Sequence, residues 1–171
     1  IVFATLSPDM YFPGGGVRVQ EMLDMPTIGA LDVRNQCSGF IYAISVADQF
    51  IKTGMYKNIL VIGSENHSGG LDKSTRGRGV TVIFGDGAGA VLFEPNEEGL
   101  GVQDEYLRSD GSGREFLRVK AGGSCYPITK EGIDNKENFV RQDGKTVFKN
   151  AVFTLSVSHS YSIINGKESG L

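Results

Sequence analysis

Asp32-Val33-Arg34-Asn35-Gln36-Cys37-Ser38-Gly39-Phe40 runs without a break into Ile41-Tyr42-Ala43-Ile44-Ser45-Val46-Ala47-Asp48-Gln49-Phe50-Ile51-Lys52-Thr53-Gly54. The stretch reads as a strand, a sharp turn carrying a cysteine, and a helix. Apolar residues at 40, 43, 44, 47, 50 and 51 gather on one helical face, and Gly54 supplies a C-terminal stop. Cys37 then falls at or just before the first helical turn. There, unpaired backbone N–H groups and the positive end of the macrodipole favour a thiolate nucleophile. A cysteine among Val, Ile and Phe also fits a small buried hydrophobe; the strand-turn-helix order favours the nucleophile.

Working outward, the 171-residue chain is long enough for a real core. Its net charge of −3, with no basic tract or arm, gives no electrostatic case for nucleic acid. No apolar run approaches the ~20 residues a bilayer crossing requires. Ile1-Val2-Phe3-Ala4-Thr5 lacks the basic start of a signal peptide. Cys37 and Cys125 form neither a CxxC nor a disulfide pattern, so a reducing, cytoplasmic setting without a metal is expected. The 24 glycines, neither periodic nor proline-rich, mark many tight turns. A chain that starts inside a strand without a methionine is expected to be a piece of a longer protein.

In chain order, Ile1–Leu6 predicts a buried strand closed by the turn signal Ser7-Pro8-Asp9. Met10-Tyr11-Phe12-Pro13 is an aromatic turn, followed by Gly14-Gly15-Gly16 and a helix from about Val17 to Leu23. Ile28–Val33 predicts the strand before Cys37. The uninterrupted apolar run Ile59-Leu60-Val61-Ile62-Gly63-Ser64 predicts a parallel strand buried on both faces, completing a βαβ unit. The polar loop from Glu65 to Arg78 holds His67, Asp72, Lys73, Arg76 and Arg78. Loops at the carboxyl ends of parallel strands carry ligand contacts in α/β proteins. The two arginines suit a phosphate, and a solvated loop accounts for them equally well. His67 fits a surface histidine better than a partner of Cys37.

Gly79–Phe84 and Ala88–Glu94 read as two β-branched strands flanking Gly85-Asp86-Gly87, a hairpin or tight-turn signal. No strand, glycine-rich loop and helix follow in the order a nucleotide site needs. Gly101–Leu107 predicts a further strand, Ser109–Gly144 a long irregular excursion, and Thr146–Ile164 a helix.

Asp32-Val33 with Gln36-Cys37-Ser38-Gly39-Phe40, then Gly63-Ser64-Glu65, then Arg76-Gly77 and Phe84-Gly85-Asp86-Gly87-Ala88-Gly89-Ala90, in this order, resemble the thiolase-fold condensing enzymes. They look most like β-ketoacyl-acyl-carrier-protein synthase III. Tyr11-Phe12-Pro13 and Val147-Phe148-Lys149-Asn150-Ala151-Val152 resemble that family too.

The resemblance implies a thiolase-like layered α/β fold. Residues 1–108 would form its N-terminal half, 109–145 an irregular connection, and 146–171 the truncated start of the second half. It further implies a homodimer, acyl-CoA and acyl carrier protein as partners, and no cofactor beyond acyl-CoA as substrate. Cys37 would match the nucleophile that holds an acyl group as a thioester. Phe12 would close the acyl pocket of a partner subunit. Arg76, or alternatively Arg78, would meet the CoA head, and Phe84 and Gly85 would border the acyl site.

The family's His-Gln-Ala-Asn motif and glycine-rich C-terminal loop are absent, and neither His67 nor His159 stands in such a context. The expectation is therefore acyl transfer to Cys37 without completed condensation. A thiolase, a head-to-head or polyketide-type synthase, and a catalytically dead dimerising homologue are the alternatives.

Overall fold

A computed structural model describes the backbone of residues 1–168 and the side chains of residues 1–156. In chain order its elements are β1 (Val2–Ala4), α1 (Gly15–Met22), β2 (Leu31–Val33), α2 (Gly39–Lys52), β3 (Ile59–Glu65), α3 (Arg78–Thr81), β4 (Gly87–Phe93), β5 (Leu117–Arg118), α4 (Lys130–Asp134), β6 (Arg141–Gln142) and α5 (Gly144–Glu168). The chain forms two compact units. One comprises Ile1–Asn66 with Asp86–Glu105, the other His67–Gly85 with the residues from Tyr106 onward.

The first unit is a four-stranded sheet in the order β2-β1-β3-β4. β1 runs parallel to both β2 and β3, as the βαβ pattern predicts, while β4 runs antiparallel to β3. α2 covers one face. Its 43 and 47 positions are alanines with no exposed surface, which lets the helix backbone sit close to the strands. Val2, Ala4, Ile59 and Val61 supply the sheet side of the core, and Phe40, Ile44, Phe50 and Ile51 close around it. β2 and β4 are the two edges, and on β4 Gly87 to Leu92 are all exposed.

The second unit buries little apolar surface, with Leu71 and Ala121 its buried hydrophobics among the described residues. Short polar links hold it instead. Thr129 caps α4 by accepting from the Gly132 N–H at 3.0 Å, and Lys120 pairs with Glu137 at 2.5 Å. The Asp143 carboxylate accepts from the N–H and hydroxyl of Thr146 at 3.2 and 2.9 Å, fixing the start of α5 and holding its own pKa below the ordinary value. At Gly77 a Cβ would lie 1.9 Å from the Asp72 carbonyl oxygen, so the turn admits no side chain there.

Four expectations are corrected. Gly79–Phe84 is not a strand: residues 78–81 form the single turn α3, anchored by Thr81 Oγ1 donating to the Asp72 carbonyl at 2.8 Å and by Val80 N–H donating to Gly77 at 2.9 Å. Tertiary bonds there override β-branched propensity. Gly85-Asp86-Gly87 consequently leads into β4, which pairs with β3 rather than with a hairpin mate. Gly101–Leu107 contains no strand, having no neighbouring ladder to join. The stretch predicted as an irregular excursion carries β5, α4 and β6, while the predicted final helix is present as α5.

Candidate active site

Cys37 lies in a 3₁₀ turn, Gln36–Ser38, between the end of β2 and the first residue of α2. The turn is closed by Asn35 Nδ2 donating to Ser38 Oγ at 3.0 Å and by Ser38 Oγ donating to the Asn35 carbonyl at 3.2 Å. Gln36, directly before the cysteine, has φ 47°. A non-glycine residue in the left-handed region costs of order 1–2 kcal/mol and sharpens the change of direction from strand to helix.

Two contacts seat the start of α2 on the sheet. Gly39 is buried with Ala4 beneath it, where a Cβ would meet the alanine methyl at 3.6 Å; a Cβ on Gly63 of β3 would stand 3.0 Å from the Phe40 ring. Gly63 thus makes room for the ring that fixes the helix start. α2 has no acidic residue in its first turn and no side-chain cap from Ser38. The Gly39 N–H donates to the Gln36 carbonyl, so the 3₁₀ turn runs directly into α2, and Cys37 is exposed rather than buried as a small hydrophobe. Cys125 is exposed as well.

The turn carrying Cys37 and the loop carrying Phe12 follow the carboxyl ends of neighbouring parallel strands, β2 and β1. Phe12 is 81% exposed and Tyr11 82%, beside a cis Phe12–Pro13 bond. The sequence marked the aromatics but not the carboxylates that fix their loop, Asp32 on β2 and Glu65 at the end of β3. The available signal was the Gly-Gly-Gly run seventeen residues before Asp32, too far away in sequence to be read as its counterpart.

The other expected residues lie in the second unit. Arg76 is tied to Asp72, its Nε and Nη2 at 2.7 and 2.6 Å from Oδ2. Hydrogen bonds from the Ser74 hydroxyl and N–H, then Arg76, lower the Asp72 pKa to about 2. Arg76 also borders a cleft of about 560 Å³ with Asp72, Arg118, Lys120 and Arg141. Arg78 opens α3, is exposed, and makes no ion pair among the described residues. The Phe84 ring packs on His67, centroids 5.3 Å apart, and Gly85 is exposed. The His159 side chain lies outside the described residues. Among those described, no group of His, Cys, Asp and Glu is arranged to hold a metal ion, and no helix is long and apolar enough to cross a membrane.

The family model of 3-oxoacyl-(acyl-carrier-protein) synthase III matches residues 31–111. Beta-ketoacyl-(acyl-carrier-protein) synthase III of Chlorobium luteolum is 42% identical over 158 residues, covering 91% of this chain and 47% of that protein. The Koribacter versatilis enzyme of the same name is 43% identical with the same coverage. A 2.1 Å crystal structure of a 3-oxoacyl-(acyl-carrier-protein) synthase III superposes with a TM-score of 0.86 at 25% identity, over 96% of this chain and 52% of the other. The Aquifex aeolicus VF5 structure gives 0.73 at 36% identity, over 86% of this chain and 42% of its own. The chain spans about half the length of the curated relatives it matches. Over that span, sequence and fold place it in the thiolase-fold condensing enzymes, most like β-ketoacyl-acyl-carrier-protein synthase III.

Proposed function

We propose that this chain carries the acyl-accepting part of an acyl-CoA-primed β-ketoacyl-acyl-carrier-protein synthase, the condensing enzyme that starts a fatty acid. Cys37 Sγ attacks the carbonyl carbon of an acyl-CoA thioester. The bond from that carbon to the CoA sulfur breaks, CoA leaves as its thiolate, and the acyl group remains on Cys37 as a new thioester. A carbanion formed by decarboxylation of a malonyl-carrier protein then attacks this thioester and expels the Cys37 thiolate. The observation that carries the reading is the exposed Cys37 in the 3₁₀ turn that leads into a well-seated α2, behind a left-handed Gln36.

Arg78 is the better-suited contact for the CoA head, because among the described residues its guanidinium has no carboxylate to leave, whereas Arg76 is held by an Asp72 that stays ionised down to about pH 2. Phe12 closes the pocket of a second copy in a homodimer in this reading. Exposure of Tyr11 and Phe12 and the free edge of β4 support such a partner. Acyl-CoA is the substrate and no further cofactor is required. Two free cysteines suit the cytoplasm. Condensation in this reading also uses the enolate-stabilising histidine and asparagine of the family's second half.

Incubation with labelled acyl-CoA tests this. Label on Cys37 that disappears in Cys37→Ala is the expected result. A folded sample that takes no label, or equal label in Cys37→Ala, overturns the nucleophile; a dimer by light scattering with an inert Cys37 would leave the dimerising homologue as the better reading.

A further inference from the structure

The loop that displays Tyr11 and Phe12 leaves the central parallel strand, and each of its feet is held by a carboxylate from one of the two strands beside it. At the first foot, Glu65 Oε1 accepts from the Leu6 N–H at 2.9 Å and Oε2 accepts from the Ser7 hydroxyl at 2.6 Å. Ser7 Oγ in turn accepts from the Asn66 N–H at 2.8 Å. At the second foot, Asp32 Oδ2 and Oδ1 accept from the Gly15 and Gly16 N–H groups at 2.6 and 2.9 Å. α1 has no acidic residue in its first turn and no side-chain cap of its own, so Asp32 supplies from β2 the anion that this helix start lacks.

The glycine run is the socket for that carboxylate. A Cβ on Gly14 would lie 2.7–2.8 Å from the Asp32 carboxylate atoms, and one on Gly16 would lie 3.1 Å from Oδ1. On Gly15 it would stand 2.6 Å from the Phe3 ring. Between the two feet, Met10, Tyr11 and Phe12 are 51%, 82% and 81% exposed, and Asp9 pairs with Arg18 of α1 at 2.8 Å. An exposed aromatic held at both ends of its loop is ordered before it meets a partner, which lowers the cost of binding and fixes where the ring ends up.

We infer that Asp32 and Glu65 are positioning residues: by clamping the two feet of the 5–16 loop they set the place of the Phe12 ring and, through it, the length of acyl chain that Cys37 accepts. This rests on the reading of Phe12 as the end wall of an acyl pocket. The amide isosteres are discriminating, because Asn or Gln offers one acceptor oxygen where two donors converge and turns an N–H toward the other.

In the full chain, Cys37 acylation is compared for labelled acetyl-CoA and octanoyl-CoA in wild type, Phe12→Ala, Asp32→Asn, Glu65→Gln and Gly14→Ala. The last opens the clamp while leaving Asp32 in place. The expected result is that the octanoyl-to-acetyl ratio shifts in the same direction in all four variants, by about fivefold in the clamp variants, the worth of one net hydrogen bond. Faster amide exchange at Leu6 in Glu65→Gln, and at Gly15 and Gly16 in Asp32→Asn, accompanies it. Should Phe12→Ala shift the ratio while the clamp variants lower both rates equally, the carboxylates are merely structural and the inference falls alone. A ratio unmoved by Phe12→Ala overturns the end-wall reading and the inference with it. Glu65→Gln and Gly14→Ala keep the test decisive if Asp32→Asn, close to the Cys37 turn, fails to fold.

Discussion

The two units of the chain are ordered by different means. The unit bearing Cys37 holds its strands in a ladder and packs Val2, Ala4, Ala43, Ala47, Ile59 and Val61 under α2. The other unit has two-residue strands and relies on caps and ion pairs such as Thr129 to Gly132, Asp110 to Ser112 and Lys120 to Glu137. Close-packed cores change in discrete steps when altered, whereas exposed polar links are individually worth about 0–1 kcal/mol. A side chain that must be held in one place needs the first kind of order; a surface that adapts can be built with the second.

The widest test of this contrast is Ile59→Ala, which removes a buried side chain from the sheet core. A loss of about 2–5 kcal/mol in urea unfolding is expected, together with faster amide exchange in β1 and β3 and little change in α4. Next comes Thr129→Ala. Loss of the α4 cap should cost about 1 kcal/mol and confine its exchange effects to the second unit. If it cost more than Ile59→Ala, the distinction between the units would not survive.

The smallest effect concerns Asp72. Its folded pKa, about 2, lies below the ordinary value of 3.8, so its stabilising contribution is present above that value and is lost as pH falls toward 2. Because Ser74 is the leading cause, Ser74→Ala should raise the carboxyl titration seen by NMR more than Arg76→Ala does. The reverse order would make the arginine the principal anchor of this loop.

The legible parts of the molecule were those whose signal lies within one segment. α2 announced itself through its apolar face, and β3 through an unbroken run of Ile, Leu and Val. Val80-Thr81-Val82-Ile83 misled because propensity favours a strand, and the bonds that make it a turn come from Asp72 and Gly77. Gly101–Leu107 had the composition of a strand without a ladder to complete it. Within the candidate site, the turn carrying Cys37 was legible from its own segment, while a role for Phe12 came only from the family resemblance. The Asp32 clamp could not, since a glycine run signals only backbone freedom until the carboxylate filling the space is known.

Gln36 carries a consequence for how this protein can change. Glycine would relieve a left-handed strain of about 1–2 kcal/mol and would loosen the unfolded chain by about 0.4–1 kcal/mol, so on balance the exchange favours thermal stability. What glutamine adds is a restriction: the peptide in front of Cys37 has far fewer directions to take. Heat tolerance alone would favour glycine at this position, whereas a single fixed direction for the peptide in front of Cys37 favours glutamine. At Gln36, therefore, stability and precision of placement pull in opposite directions on the same two dihedral angles.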